Sequence, residues 1–146
     1  MAKPAVFLDT SVFIAALLSQ SGGSFYILST LADTADFQTN EYVHTEIENV
    51  LQEKFPNRHD LRTQLFLLLG IATVVVLPNR PKKEIKSLKG TISDKDSPIL
   101  ASALKQSEYL ITLDNEFFNQ NIVKLATKHS LQILKPKNFI EAFRTN

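Results

Sequence analysis

The chain contains no cysteine. Disulfides, thiolate catalysis and cysteine-based zinc sites are therefore excluded. Four glycines and six prolines leave little room for a flexible linker. No apolar run approaches the ~20 residues that a membrane-crossing helix needs, so no membrane partner is expected. The N-terminus carries one early lysine and then an apolar stretch, which is not the pattern of a signal peptide. A cytoplasmic location is the resulting expectation. Excess charge is lacking as well. The net charge is +1, so any affinity for nucleic acid has to come from local clusters. What is there is a chain of 146 residues, 44% hydrophobic and 21% charged. That is the composition of a globular domain, long enough to bury a core, and a single domain over 1–146 is expected.

The organising stretch is Val6-Phe7-Leu8-Asp9-Thr10-Ser11. Its apolar run reads as a buried strand of a parallel sheet. It stops at a carboxylate, and Thr10 and Ser11 then suit the cap of a helix starting at Val12. Asp9 should thus stand at the carboxyl end of the first strand, the edge where open α/β sheets bind ligands. After it, Phe25 to Ala32 reads as a helix, and Asp36 to Thr39 as a short strand. Glu41 to Lys54 is an amphipathic helix with Val43, Ile47, Val50 and Leu51 at helical spacing. Leu61 to Leu69 is an apolar helix ending at Gly70, and Thr73 to Leu77 a second buried strand. Pro98 sits in the first turn of another helix, whose inward stripe is Ile99, Leu100, Ala103 and Leu104. Tyr109 to Leu113 is a third buried strand. It too ends at a carboxylate, Asp114, followed by a helical turn. A helix over 121–129, a strand over 131–134 and a helix over 136–143 close the chain. Strands alternating with helices predict an α/β fold, a three-layer α/β/α sandwich around a central, mostly parallel sheet.

Two further acids lean inward. Glu46 shares the apolar face of its helix with Val43 and Val50, and a carboxylate there needs a partner. The plainer alternative is an edge position that reaches solvent or pairs with a lysine. Asp96 lies three residues before Ile99 and leans the same way, whereas Asp94 precedes the helix. Helix capping is the plain alternative for either aspartate. If Asp9, Glu46, Asp96 and Asp114 meet, each like-charged pair at ~4 Å costs on the order of 4 kcal/mol at an effective dielectric near 20. Either their pKa values rise or a cation sits among them. Oxygen donors without cysteine point to Mg²⁺ or Mn²⁺, and such an ion implies metal-assisted hydrolysis of a phosphodiester. The basic segment with Arg80, Lys82, Lys83, Lys86, Lys89 and Lys95 is a candidate RNA-backbone contact, against the plain reading of a solvated face.

The pieces VFLDTSVFIAALL, TEIENVL, DKDSPILASALK and LITLDNEFF, in this order and spacing, resemble the PIN domain, the PilT N-terminus nuclease fold. The segment SLQILKPKNFIEAF resembles that family's closing strand and helix, so the likeness covers nearly the whole chain. The resemblance puts Asp9, Glu46, Asp96 and Asp114 on the family's acidic quartet, which holds the metal and carries catalysis. It puts Ser11 and Thr112 on the polar residues beside the metal, and Asp94 on an additional supporting acid. It implies an Mg²⁺- or Mn²⁺-dependent ribonuclease, with RNA as substrate. Many small members are VapC-like toxins of VapBC toxin–antitoxin pairs, bound by a cognate antitoxin and often homodimeric.

Other chemistries fit less well. His44, His59 and His129 lack metal-ligand spacing, and the glycines form no phosphate loop. A haloacid-dehalogenase phosphatase needs a second aspartate two residues after the first, where Ser11 stands. The non-enzyme alternative is an inactive PIN-like module that binds RNA or protein.

Overall fold

The computed structural model describes residues 2–144. At its centre lies β1 (Ala5–Leu8), flanked by β2 (Asp36–Asn40) and β4 (Tyr109–Ile111). β3 (Val75–Leu77) and β5 (Gln132–Leu134) complete the order β3-β2-β1-β4-β5, and every pairing is parallel. Val6 faces Phe37 on one side and Tyr109 on the other. Val6, Phe7 and Leu8 are fully buried, as a strand covered on both faces requires.

The chain first winds outward from β1 through β2 to β3. It then returns over the sheet to β4, so the strand order reverses between β1 and β4. The helices α1 (Thr10–Leu18), α2 (Gly23–Thr30), α3 (Glu41–Lys54) and α4 (Asp60–Ile71) follow the outward strands. α1 touches α2, α3 and α4, and α2 also touches α8 (Pro136–Phe143). Right-handed crossovers put α5 (Lys82–Lys86), α6 (Ser97–Gln106) and α7 (Gln120–Lys128) on the opposite face. There α5 packs on α6, α6 on β1 and α7 on β5. The three layers of the expected sandwich are therefore present, with a sheet parallel throughout. α8 is fixed by aromatic packing: Phe139 stacks on Phe143 at 4.5 Å, and Tyr109 meets Phe143 edge-on at 5.2 Å. Among the described residues no single helix is long and apolar enough to cross a membrane.

Several local expectations change. α1 starts at Thr10 rather than Val12, with Asp9 in the cap position; Thr10 and Ser11 spend their hydroxyls on carboxylates instead of capping. β3 is an edge strand with one neighbour, so Val75 is 53% and Val76 44% exposed where a buried strand was expected. Gly70 lies inside α4, which runs on to Ile71; the left-handed turn beyond it is made by Thr73, at φ 52°. β4 stops at Ile111, leaving Thr112 to Asp114 as the loop at its carboxyl end.

Candidate metal and nuclease site

The crevice where the strand order reverses is the place at which open α/β sheets bind ligands. A cleft of about 560 Å³ opens here, and Asp9, Glu46, Asp96 and Asp114 all line it. The four acids arrive from separate elements. Asp9 ends β1, Glu46 stands on α3, Asp96 precedes α6, and Asp114 follows β4.

Asp9 is 4% exposed and occupies the N-cap of α1, yet its side chain makes no capping bond. Its Oδ2 instead accepts from the Thr112 hydroxyl at 2.6 Å and the Ser11 hydroxyl at 2.8 Å. Those hydroxyls also accept: Thr112 Oγ1 takes the Asp114 amide and Ser11 Oγ takes the Leu113 amide, each at 3.0 Å. The loop carrying Asp114 is thereby fastened to Asp9. Burial pushes the Asp9 carboxyl above its ordinary pKa; the hydrogen bonds oppose this and the Asp114 charge adds to it.

Glu46 accepts the Thr10 hydroxyl at 2.6 Å. Its pKa is raised, first by burial and then by the Asp9 charge, while Thr10, Lys95 and Tyr42 pull it down. Asp96 is 6% exposed, and its pKa is pushed up to about 8, chiefly by burial, then by Glu116, Asp114 and Asp9. The Ser93 hydroxyl lies 3.2 Å from Asp96 Oδ2 and 2.6 Å from Glu116 Oε1. Hydrogen bonds from the Asp96 carboxyl and Ser93 hold the Glu116 pKa low. Asp114 Oδ1 accepts the Glu116 amide at 3.0 Å and so caps the 3₁₀ turn Asn115–Phe118.

Other candidate residues sit as follows. Lys95 lines the acidic cleft; Arg80, Lys82, Lys83, Lys86 and Lys89 do not. Arg80 forms a bidentate pair with Glu84, at 2.7 and 2.8 Å. Lys82, Lys83, Lys86 and Lys89 are exposed, the first three on α5. Asp94 is exposed outside the cleft, and its carbonyl accepts the Ser97 hydroxyl at 3.0 Å.

Sequence reasoning overlooked three participants. Glu116, two residues beyond Asp114, is a fifth carboxylate in contact with the site; its signal was the acidic spacing of DNE. Tyr42 donates its hydroxyl to the Lys95 carbonyl at 2.7 Å. Its pKa is raised to about 12, by burial and by the charges of Glu46, Asp96 and Asp9. Asn40 is fully buried: Oδ1 caps α3 through the Val43 amide, while Nδ2 donates to the Pro98 carbonyl and Ser102 Oγ on α6. It ties the helix bearing Glu46 to the helix that Asp96 begins. Only its place directly before Glu41 hinted at a cap.

The donor set is wholly hard oxygen, and burial together with neighbouring carboxylate charge raises the pKa values of Asp9, Glu46 and Asp96. Both features fit a hard divalent cation, whose charge would let the acids ionise together. Among the described residues no three Asp, Glu, His or Cys side chains already converge as a metal cage. The acids line the cleft without closing on a single point.

Residues 5–116 match the family described as the PIN domain, an interval that holds all four acids. The chain belongs to the PIN-domain family. No curated protein matches it. Among solved structures, this PIN domain is similar to VapBC2 from Rickettsia felis bound to a DNA fragment from their promoter. That match has TM-score 0.69 and 14% identity, over 90% of this chain and 98% of that one. PAE2754 from Pyrobaculum aerophilum gives 0.62 and 14%, over 97% of each chain. FitAcB from Neisseria gonorrhoeae gives 0.58 and 17%, over 90% and 98%. At these identities the likeness is one of fold. PIN domains are generally nucleases that use divalent metals, and the acidic cleft of this PIN domain lies at the edge of the sheet where such chemistry belongs.

Proposed function

We propose that this PIN domain is an endoribonuclease dependent on Mg²⁺ or Mn²⁺, and the toxin of a type II toxin–antitoxin pair. The observation that carries the reading is that Asp9, Glu46, Asp96 and Asp114 line one cleft at the reversal of strand order. In this reading Asp9, Asp96 and Asp114, with Glu46, hold the metal. When bound, the ion supplies a water of lowered pKa and positive charge for a phosphate. The protein's own groups set the geometry. Thr112 and Ser11 both bind Asp9 Oδ2 and so fix that carboxylate, and Thr10 holds Glu46, which in this reading would orient the attacking water. Water would add in line at phosphorus, with no side-chain nucleophile, as the opposite P–O bond breaks; the proton the water loses balances the one the departing sugar oxygen takes up. A bound cation would favour the ionised form of Asp96. Asp94 supports the acidic end of α6. Lys95 at the cleft, with Arg80, Lys82, Lys83, Lys86 and Lys89 farther along, contacts the RNA backbone without reading bases. A cognate antitoxin and a second copy of the chain are the protein partners this reading implies. It is supported by the fold shared with VapBC2 and FitAcB.

The test is RNA cleavage with Mn²⁺ by wild type, Asp9→Asn and Asp96→Asn. Both variants should lose cleavage; equal activity in all three removes this site. A second reading, an inactive PIN-like module that binds RNA or protein, is favoured by the absence of a ready-made cage among the described residues. Calorimetry separates the two. The nuclease takes up Mn²⁺ in a way that Asp96→Asn abolishes, and the module takes up none.

A further inference from the structure

A second cleft, of about 610 Å³, adjoins the acidic one along α1; Ala15 lines both. Its charge has the opposite sign. Lys135, Lys137 and Arg144 line it against one acid, Glu141. α2 and α8 both begin here, at Gly22-Gly23-Ser24 and at Lys135-Pro136, and neither has a side-chain cap. Pro136 has no N–H, so the amides left for a ligand or water are those of Gly23 and Ser24 in α2 and, in α8, those that follow Pro136, beginning with Lys137. The two helix starts lie close together: a Cβ at position 23 would come within 3.2 Å of Ile140 Cδ1 and 3.6 Å of Pro136 Cβ, so glycine there eases the approach. Ser24, 4% exposed, lines this cleft, and its hydroxyl forms no hydrogen bond among the described residues while its oxygen is not sealed from solvent. Lys135 is held in place, with Nζ 3.2 Å from Asn115 Oδ1 and over the Phe118 ring.

The geometry points to a phosphate subsite formed by Gly23, Ser24, Lys135, Lys137 and Arg144, which seats a backbone phosphate of the RNA strand whose scissile phosphate lies in the acidic cleft. This rests on the nuclease reading for the identity of the strand. Helix-start amides, cations and an unpaired hydroxyl on the cleft wall are what a phosphate monoanion satisfies. Spacing also suits a strand. α1 runs from the Asp9 cap at one cleft to the Ser19 cap at the other, about 15 Å at 1.5 Å per residue, a few nucleotides of extended chain. The basic cleft lies on one side of the acidic one, so it fixes which side of the scissile phosphate is held. The acidic cleft alone repels phosphates that lack a metal, and the basic one supplies the missing attraction.

The test uses the full chain, with Lys137→Gln/Arg144→Gln as the probe variant and Lys137→Arg as the charge-keeping control. Both altered side chains are exposed, so folding is not at stake. First, inorganic phosphate is titrated into the protein and amide NMR shifts are followed. Gly23 and Ser24 should shift saturably in wild type and in Lys137→Arg, and lose the response in the double variant. Second, a short RNA is bound to Asp96→Asn protein at several salt concentrations. Adding the double substitution should weaken binding at least fivefold and lessen the salt slope by about 1.4, at about 0.7 for each single-strand phosphate that is no longer neutralised. In cleavage, KM should rise while kcat holds. Phosphate shifts without any effect on RNA mean an ion site unrelated to the strand and overturn the subsite. So does cleavage with unchanged KM in the double variant, which leaves the nuclease reading intact. RNA binding that the double variant weakens, with no cleavage by any form, leaves the subsite standing and removes the nuclease reading.

Discussion

The Thr112 hydroxyl donates to Asp9 Oδ2 at 2.6 Å and accepts the Asp114 amide at 3.0 Å, so one buried oxygen atom sets two acids of the cleft against each other. Thr112 is fully buried, and no water can replace the group easily. Thr112→Val keeps the shape and removes both bonds. The folded state should lose about 2 kcal/mol, because the Asp9 oxygen and the Asp114 amide lose a buried partner. Urea unfolding measures this. The Thr112 bond lowers the Asp9 pKa, so the valine variant should titrate Asp9 higher still, as read by carboxyl-carbon NMR. Metal affinity should fall roughly 10- to 100-fold, the usual effect of removing an outer hydrogen bond to a ligand. Thr112→Ser should restore all three readings.

The site also makes stability depend on pH in an unusual direction. The folded pKa of Asp96 stands at about 8, above its unfolded value of 3.8. Between those values the folded state keeps a proton that the unfolded chain has released. Stability contributed by Asp96 is thus full below the unfolded pKa and is lost as pH rises toward 8. Asp9 and Glu46, also raised, add to the same trend. Glu116, held low by Asp96 and Ser93, works against it. Metal-free protein should therefore melt at a lower temperature at about pH 8 than at about pH 5, the reverse of ordinary paired carboxylates. Mn²⁺ should cancel the trend, and its uptake near neutral pH should release protons. Calorimetry in two buffers of different ionisation enthalpy counts them. Binding without proton release would show that Asp96 is already ionised.

Much of this was legible in the chain. Val6-Phe7-Leu8 followed by Asp9, and Tyr109-Leu110-Ile111 leading to Asp114, announce strands with acids beyond their carboxyl ends, because strands of a parallel sheet are covered on both faces and read as short continuous apolar runs. Glu46 and Asp96 were readable from helical spacing. What failed depended on neighbours in space. Val75 and Val76 look like core residues by composition, but their strand happens to be last in the sheet. Thr10 and Ser11 suit a helix cap by type, but the approach of Glu46 takes the Thr10 hydroxyl and the Asp9 carboxylate takes that of Ser11. Glu116 was hidden because its partner, Asp96, is remote along the chain and the link runs through Ser93. The second cleft was hidden for the same reason: Gly23 and Lys137 carry no sign, in one dimension, that α2 and α8 begin side by side.

Asn40 offers a way to separate scaffold from chemistry. It touches none of the four acids, yet its amide joins α3 to α6 through Val43, Pro98 and Ser102. Asn40→Ala removes a helix cap, at about 1 kcal/mol, and leaves the buried Pro98 carbonyl and Ser102 hydroxyl short of a donor, at about 1 to 3 kcal/mol more. Asn40→Asp keeps the cap but turns the donor toward Pro98 and Ser102 into an acceptor, in a fully buried position. The aspartate variant should therefore be no more stable than the alanine one, although aspartate is the better cap in isolation. With α3 released from α6, Glu46 and Asp96 lose their fixed separation, so cleavage should fall in both variants even under conditions where each is fully folded. Denaturant midpoints, read beside Mn²⁺ affinity and cleavage of one RNA at low temperature, check this. Cleavage that stays at the wild-type level in folded Asn40→Ala would mean that the Asn40 clamp does not set the positions of the acids.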